Sequence, residues 1–86
     1  MNGLVQHISI DPVAGRVMSV LRTIRPAPLA ETESLADAGF TSVDMVKIML
    51  EVEAEFDLMI PQPDITPENF RTAESIAGML RRLAAS

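Results

Sequence analysis

Residues 39–56 read GFTSVDMVKIMLEVEAEF, and this segment indicates a helical fold because it contains a complete helix with its own start signal. Thr41 and Asp44 stand three residues apart, which approximates a capping box, and Gly39 permits a turn before them. Apolar residues then recur at three- and four-residue spacing, without the alternation of a β-strand. The stretch therefore predicts a helix that begins at Thr41 or Ser42 and ends near Phe56.

The predicted helix carries apolar residues on two faces. At about 100° per residue, one face groups five of them: Met45, Ile48, Met49, Val52 and Phe56. A second stripe groups Val43, Val46 and Leu50. A helix in a small bundle is rarely buried all round, so the first face is assigned to the core and the second to a docking surface. The alternative is that the long loop before the helix folds over the second stripe and buries it.

A first helix is predicted upstream of this stretch. Asp11 is a good N-cap, and Pro12 is tolerated at the first helical position, where a missing N–H costs nothing. The helix is expected to stop before Pro26, because proline restricts the residue before it. Residues 25–40 are then a long connection, which is expected to be anchored by Leu29 and Leu35.

The C-terminal third predicts one short and one longer helical element. Thr66 opens a single turn through Phe70, and Thr72 caps a last helix that runs to about Leu83. The chain is therefore predicted to be all-α: a four-helix bundle of three main helices and one short one, with a long first loop. We expect a single domain over residues 1–86, with an ordered core at about 9–84.

The composition excludes several classes of protein. The chain has 86 residues, no cysteine and a net charge of −5, so it has no disulfide framework, no thiolate metal site and no cysteine nucleophile. An acidic chain is a poor ligand for nucleic acid or an anionic membrane surface. No stretch has the layout of a membrane span or signal peptide, so we expect a cytoplasmic, monomeric protein.

The negative charge is concentrated in the middle of the chain. Residues 26–70 carry ten acidic residues against Lys47 alone, whereas the segments on either side each carry a net charge of +2. A partner that reads this charge is expected to present a basic surface.

Catalysis by the chain itself has little support. His7 is the only histidine, and it lies in a terminal segment without a surrounding motif. The acids of residues 51–55 point in different directions around the helix, so they form neither a paired carboxylate site nor a calcium loop. Ser42 is different, because a phosphate on it would meet the free N–H groups and the positive dipole end of a helix. Taken alone, however, a serine at this position is more often a cap.

From Leu35 to Leu83 the chain resembles the acyl carrier protein family. Three segments carry the resemblance, in the order and spacing of the family: SLADAGFTSVDMV at 34–46, EAEFDLMIP at 53–61 and FRTAESI at 70–76. The family pattern has an acid and a glycine ahead of an Asp-Ser-Leu triplet, a helix ending in Glu-x-x-Phe, a hydrophobic-Pro pair and a Thr-capped last helix.

The resemblance implies that Ser42 receives 4′-phosphopantetheine from coenzyme A, which makes the chain a phosphoprotein. A separate phosphopantetheinyl transferase would attach the arm, and the arm's thiol would hold cargo as a thioester. The chain would then be a carrier and not an enzyme. By carry-over, partner enzymes would dock on six residues of the same helix: Val43, Asp44, Val46, Leu50, Glu51 and Glu53.

The chain departs from the family pattern at three positions: Thr41 stands where Asp is usual, Val43 where Leu is usual, and Lys47 at a position that is commonly acidic in fatty-acid carriers. Thr41 and Lys47 make the serine's surroundings less negative than in those carriers. The Gly-Phe-Thr-Ser core is similar to that of stand-alone aminoacyl carrier proteins, which are loaded by ligases resembling truncated seryl-tRNA synthetases. The expected cargo is therefore an amino acid, passed on to a downstream transferase. The alternatives are a specialised fatty-acyl or polyketide carrier and, in a different class, an unmodified helical module that binds a partner helix through Val43, Val46 and Leu50.

Overall fold

The computed structural model describes residues 11–85, which form three α-helices and one 3₁₀-helix and contain no β-strand. The α-helices are α1 (Pro12–Ile24), α2 (Ser42–Phe56) and α3 (Ala73–Ala85), and the 3₁₀-helix is Gln62–Asp64. The predicted all-α architecture, with its long first loop, is confirmed. His7 and the first two residues of the predicted ordered core lie outside the described residues.

Helix α1 begins and ends where its capping residues predict. The Asp11 carboxylate accepts a hydrogen bond from the Val13 N–H at 3.0 Å, and Pro12 is the first helical residue. At the other end, the Arg25 N–H donates to the Leu21 carbonyl at 2.9 Å, and the backbone of Arg25 is extended, as expected before proline. The buried face of α1 consists of Ala14, Val17, Met18, Val20 and Leu21.

Helix α2 is fastened at its C-terminal end by an arginine of α1. Asp57 ends the helix in the left-handed conformation, with φ 52°. The Arg16 guanidinium donates to the Glu55 carboxylate at 3.0 Å and to the Glu55 carbonyl at 2.6 Å. The guanidinium also lies 4.2 Å from the centroid of the Phe56 ring. These contacts fix the end of α2 against α1.

Helix α3 starts with a reciprocal cap and is two residues longer than predicted. The Thr72 hydroxyl accepts from the Ser75 N–H at 2.9 Å, and the Ser75 hydroxyl accepts from the Thr72 N–H at 3.0 Å. This confirms Thr72 as the cap, while the helix continues to Ala85 rather than ending near Leu83. Arg81 in α3 pairs with the Asp11 carboxylate at the start of α1, so charge links these two helices.

A short helical element that was not predicted lies upstream of the predicted turn at residues 66–70. The regular 3₁₀-helix occupies Gln62–Asp64. Pro63 is tolerated there because it lies in the first turn, where a backbone N–H would have no acceptor within the helix. Residues 66–70 form only a hydrogen-bonded turn, in which the Phe70 N–H donates to the Thr66 carbonyl at 3.2 Å. The prediction of a single turn there is confirmed, but the 3₁₀-helix before it was missed.

The core lies where α1 packs against both α2 and α3. The long loop contributes to the core through Leu35, which is fully buried and donates its N–H to the Arg71 carbonyl at 2.9 Å. A second bond joins the Glu74 N–H to the Glu31 carbonyl at 3.0 Å. The loop is therefore tied to the start of α3, and its buried leucine is used in the core rather than over the outer face of α2.

Candidate functional site

Two adjacent hydroxyl groups stand at the start of α2, and only one of them serves as the cap. The Thr41 hydroxyl accepts the Asp44 N–H at 3.1 Å, and the Asp44 carboxylate accepts the Thr41 N–H at 2.9 Å. This confirms the capping box. Ser42 is the first residue of the helix and is exposed, and its hydroxyl has no hydrogen bond to any of residues 11–85. The capping role that competes with a functional role for Ser42 is thus filled by Thr41.

Asp44 is held by groups of the chain itself. Its Oδ2 atom accepts the Thr41 N–H and lies 3.6 Å from the Arg25 guanidinium. The backbone hydrogen bond from Thr41 is the main cause that lowers the pKa of Asp44 below its usual value. The Thr41 hydroxyl, Arg25 and Lys47 act in the same direction, against desolvation of the carboxylate. Asp44 therefore organises the start of α2.

A tight turn brings Phe40 into the core immediately before the helix. Gly39 has φ 101°, a backbone conformation that residues with a side chain rarely adopt. The Phe40 N–H donates to the Leu35 carbonyl at 3.0 Å. Phe40 is buried by this turn. The prediction that Gly39 permits the turn before the helix is confirmed, and the turn fixes the direction in which the chain enters α2.

The second apolar stripe of α2 is exposed. Val43, Val46 and Leu50 are 66%, 54% and 55% exposed. The alternative in which the long loop buries this stripe is therefore wrong. On the opposite face, Ile48 and Val52 are fully buried, as the periodicity predicts. An exposed apolar stripe on a rigid helix is typical of a surface that another protein covers.

The charges around the stripe differ in what holds them. Glu51 and Lys47 are exposed, and neither side chain has an ion pair or hydrogen bond within residues 11–85. The Glu53 carboxylate, by contrast, accepts the Ile60 N–H at 2.8 Å and joins the end of α2 to the following loop. The bonds of Asp44 belong to the predicted capping box. The bond between Glu53 and Ile60 was not predicted, because it spans seven residues across the end of α2. Of the three acids proposed for docking, Glu51 alone is uncommitted.

A groove lies between α2 and residues 62–71. Its volume is about 830 Å³, and most of its lining is apolar: Met45, Val46, Met49, Ile65, Pro67 and Phe70. Polar side chains of Ser34, Gln62, Thr66 and Arg71 also border it, and no acidic residue does. Val46 belongs to both the stripe and the groove, so the two surfaces are continuous. The groove was not predicted from the sequence, where its only signal is the apolar Ile65 in a loop segment.

Residues 11–85 contain no group of three or more histidine and acidic side chains that could hold a metal ion. Within the same residues, no helix has the length and apolar character needed to cross a membrane.

Residues 11–80 match the model of a protein family that is described as "phosphopantetheine attachment site". The chain belongs to this family of carrier proteins. Aminoacyl carrier protein 2 of Bradyrhizobium diazoefficiens is 44% identical over 79 residues, which cover 86% of this chain and 89% of the relative. Aminoacyl carrier protein 1 of the same organism is 52% identical over 54 residues, covering 63% of this chain and 60% of the relative.

Solved structures of carrier complexes are also similar. A chain in the crystal structure of Bradyrhizobium japonicum glycine:[carrier protein] ligase with glycylated carrier protein is 41% identical, with a TM-score of 0.77, over 80% of this chain and 99% of that one. In a second complex, with the cognate carrier protein and an analogue of glycyl adenylate, the match has a TM-score of 0.79 at 39% identity, over 84% and 99% of the two chains.

The cofactor of this carrier family member is covalently attached 4′-phosphopantetheine. The start of α2 fits such a group, because an exposed hydroxyl without a hydrogen bond stands among the N–H groups of a helix N-terminus. Those N–H groups and the positive dipole end favour a bound phosphate.

Replacing Asp44 with asparagine tests the electrostatic part of the capping arrangement in this carrier. The asparagine side chain keeps an acceptor for the Thr41 N–H but lacks the charge, so Asp44→Asn should lower the melting temperature at pH 6. Because the pKa of Asp44 is lowered in the folded protein, its charge stabilises the fold. This stabilisation is complete above the unfolded-state pKa of about 3.9, and it is lost as the pH falls through the folded-state pKa. Thermal unfolding followed by circular dichroism between pH 6 and pH 2 measures this loss.

Asp37→Asn is the matched control, because Asp37 is exposed and its carboxylate has no partner within residues 11–85. Its melting temperature should follow the wild type at every pH. A deficit of Asp44→Asn that stayed constant from pH 6 to pH 2 would contradict the charge-dependent role.

Proposed function

We propose that this protein carries an amino acid as a thioester on a 4′-phosphopantetheine arm attached to Ser42. The observation that carries the proposal is that two neighbouring hydroxyls differ in their contacts: the Thr41 hydroxyl caps α2, whereas the Ser42 hydroxyl is exposed and has no hydrogen bond within residues 11–85. The cofactor follows from membership of the carrier family, and the exposed Ser42 hydroxyl is the proposed point of its attachment.

The chain's own residues present the serine and do not activate it. Asp44 is the acid of the first turn of α2, but its carboxylate is engaged by Thr41 and Arg25. The base that removes the Ser42 proton therefore belongs to a separate phosphopantetheinyl transferase, with coenzyme A as the donor of the arm. When attached, the arm supplies the thiol that this cysteine-free chain lacks. We infer that the protein is a carrier rather than an enzyme, acting as a cytoplasmic monomer.

Similarity to aminoacyl carrier proteins supports an amino acid as the cargo. The two similar solved structures contain a carrier protein bound to a glycine:[carrier protein] ligase. An amino acid:[carrier protein] ligase is therefore proposed to load the protein, of the aminoacyl-tRNA-synthetase-like kind that the resemblance to aminoacyl carrier proteins implies. A downstream transferase is proposed to take the amino acid from it.

The partner enzymes are proposed to dock on the outer face of α2. Val43, Val46 and Leu50 provide the apolar contact, and Glu51 provides a negative charge that forms no ion pair within residues 11–85. Asp44 and Glu53 belong to the same predicted docking face, but each already makes a hydrogen bond within the chain. Glu51 is therefore the acid on which electrostatic docking should depend most.

A fatty-acyl or polyketide carrier is the second candidate, and the groove beside α2 favours it. A groove of about 830 Å³ with a largely apolar lining can shelter an apolar chain. An amino acid thioester carries a charged amine, which gains little there because no acidic residue borders the groove.

Incubation with coenzyme A and a promiscuous phosphopantetheinyl transferase tests the attachment site. The wild type should gain the mass of one 4′-phosphopantetheine. Ser42→Ala should gain none, because it lacks the hydroxyl that is left free when Thr41 caps α2. Intact-protein mass spectrometry measures both. Ser19→Ala, which removes an exposed serine hydroxyl from α1, is the control and should be modified like the wild type.

A mass gain that survives Ser42→Ala would move the attachment elsewhere. An unmodified wild type would instead favour the interaction module, in which Ser42→Ala leaves partner binding and biological activity intact.

Loading of the modified protein decides the cargo. With an amino acid:[carrier protein] ligase, adenosine triphosphate and individual amino acids, we expect mass gains that correspond to an aminoacyl group. With a fatty-acyl ligase and fatty acids of several lengths, we expect little loading, because Thr41 and Lys47 make the surroundings of Ser42 less negative than in fatty-acid carriers and Val43 replaces the usual leucine. Efficient fatty-acyl loading without aminoacyl loading would reverse the assignment.

Charge reversal at Glu51 tests the docking face. Glu51→Lys should lower kcat/KM for the transferase or ligase roughly two- to tenfold at low salt, and less at high salt, because exposed charges steer association and are screened by ions. Steady-state kinetics at two ionic strengths measure the effect. Glu68→Lys makes the same change of net charge in the exposed turn before α3 and should leave the rate nearly unchanged. Equal losses in both variants, or at both salts, would count against docking on this face.

A further inference from the structure

Arg25 stands at the end of α1 with its side chain against the start of α2. Its guanidinium carbon lies 5.9 Å from the centroid of the Phe40 ring, and its Nη2 atom lies 3.6 Å from Asp44 Oδ2. A β-carbon on Gly39 would meet the Arg25 side chain at 3.9 Å. Three successive features of the entry to α2, the turn, the ring and the first-turn acid, therefore border the same cation.

The contacts of Arg25 hold its position but use few of its hydrogen-bond donors. The distance of 3.6 Å to Asp44 is that of an ion pair and not of a hydrogen bond. The Arg25 side chain donates no hydrogen bond to any of residues 11–85, and 42% of its surface is exposed. A guanidinium has five N–H donors in a planar fork, so Arg25 offers several of them to an outside acceptor.

One oxygen atom links this cation to the residue before Ser42. Asp44 Oδ2, which faces Arg25, is also the acceptor of the Thr41 N–H at 2.9 Å. A phosphodiester on Ser42 would add a negative charge at the same helix start, where Asp44 is the acid of the first turn. Arg25 lies 3.6 Å from Asp44, well inside the screening length of about 8 Å at physiological ionic strength, so an anion added in the same first turn would add to the negative charge that Arg25 faces.

We propose that Arg25 binds the phosphodiester formed on Ser42 and compensates its charge. The inference rests on the proposed attachment at Ser42. Arg25 suits the role because Phe40 and Asp44 hold it beside the helix start while its N–H donors remain available, and phosphate oxygens are strong acceptors for such a fork. The cation also offsets the charge of Asp44, which would otherwise repel the added group.

Comparing the apo and modified forms of three proteins tests this role. The change in melting temperature on modification should be less favourable in Arg25→Gln than in the wild type by roughly 2–6 °C, because the variant lacks the cation that meets the phosphate. Arg22→Gln is the matched control, since Arg22 is exposed in the last turn of α1 and has no partner within residues 11–85. It should respond to modification like the wild type. The difference should shrink in 1 M salt.

A purely structural role of Arg25 would lower the melting temperatures of both forms equally, and that result would overturn the proposal. The Arg25 side-chain N–H resonance in the wild type gives a second reading that does not depend on any variant. It should shift on modification while that of Arg22 does not, and an unchanged Arg25 resonance would also overturn the proposal. Mass spectrometry of each sample separates these outcomes from failure of the proposed function, which would appear as wild-type protein without an arm on Ser42.

Discussion

The exchange of hydrogen bonds between Thr41 and Asp44 at the start of α2 is the interaction on which the functional surface depends. A helix begins with N–H groups that lack intrahelical acceptors, and here the two side chains satisfy a pair of backbone donors reciprocally. Because Thr41 takes the capping role, the next hydroxyl is left exposed on the first residue of the helix. Because Asp44 turns back toward Thr41, it also becomes the anion that Arg25 of the preceding segment can face. One local bond pair thus arranges the serine and the surrounding charges together.

The burial pattern explains why one face of α2 stays exposed. The long loop carries one fully buried leucine, Leu35, and its backbone is bonded toward the start of α3. The turn at Gly39 then commits Phe40 to the core. With these apolar groups used elsewhere, nothing among residues 11–85 covers Val43, Val46 and Leu50, and the apolar groove beside them stays open at the surface.

Sequence reasoning succeeded where the signal was local. The caps at Asp11, Thr41 and Thr72 depend on bonds that span two or three residues, so the starts of the three α-helices within residues 11–85 could be predicted. It failed where the partner is distant or irregularly spaced. The bond from Ile60 to Glu53 spans seven residues and crosses the end of a helix, and the contact of Arg25 with Asp44 joins two elements across a loop. The groove is likewise made by segments whose packing no periodicity describes. For the same reason periodicity alone could not decide whether the second stripe of α2 was exposed.

The fastening of α2 at both ends has a consequence for how a tethered cargo is delivered. Arg16 holds the C-terminal end of the helix, and the capping box holds its start. Ser42 and Leu50 therefore lie on one stiff rod, about 12 Å apart along its axis at 1.5 Å per residue. With the arm attached to Ser42 as proposed, an enzyme that docks on the apolar stripe would also fix the position of the attachment point, so the cargo would explore only the volume that the arm can reach from that point. The effective concentration of cargo at the enzyme would then be set by the length of the arm and not by the motions of the protein.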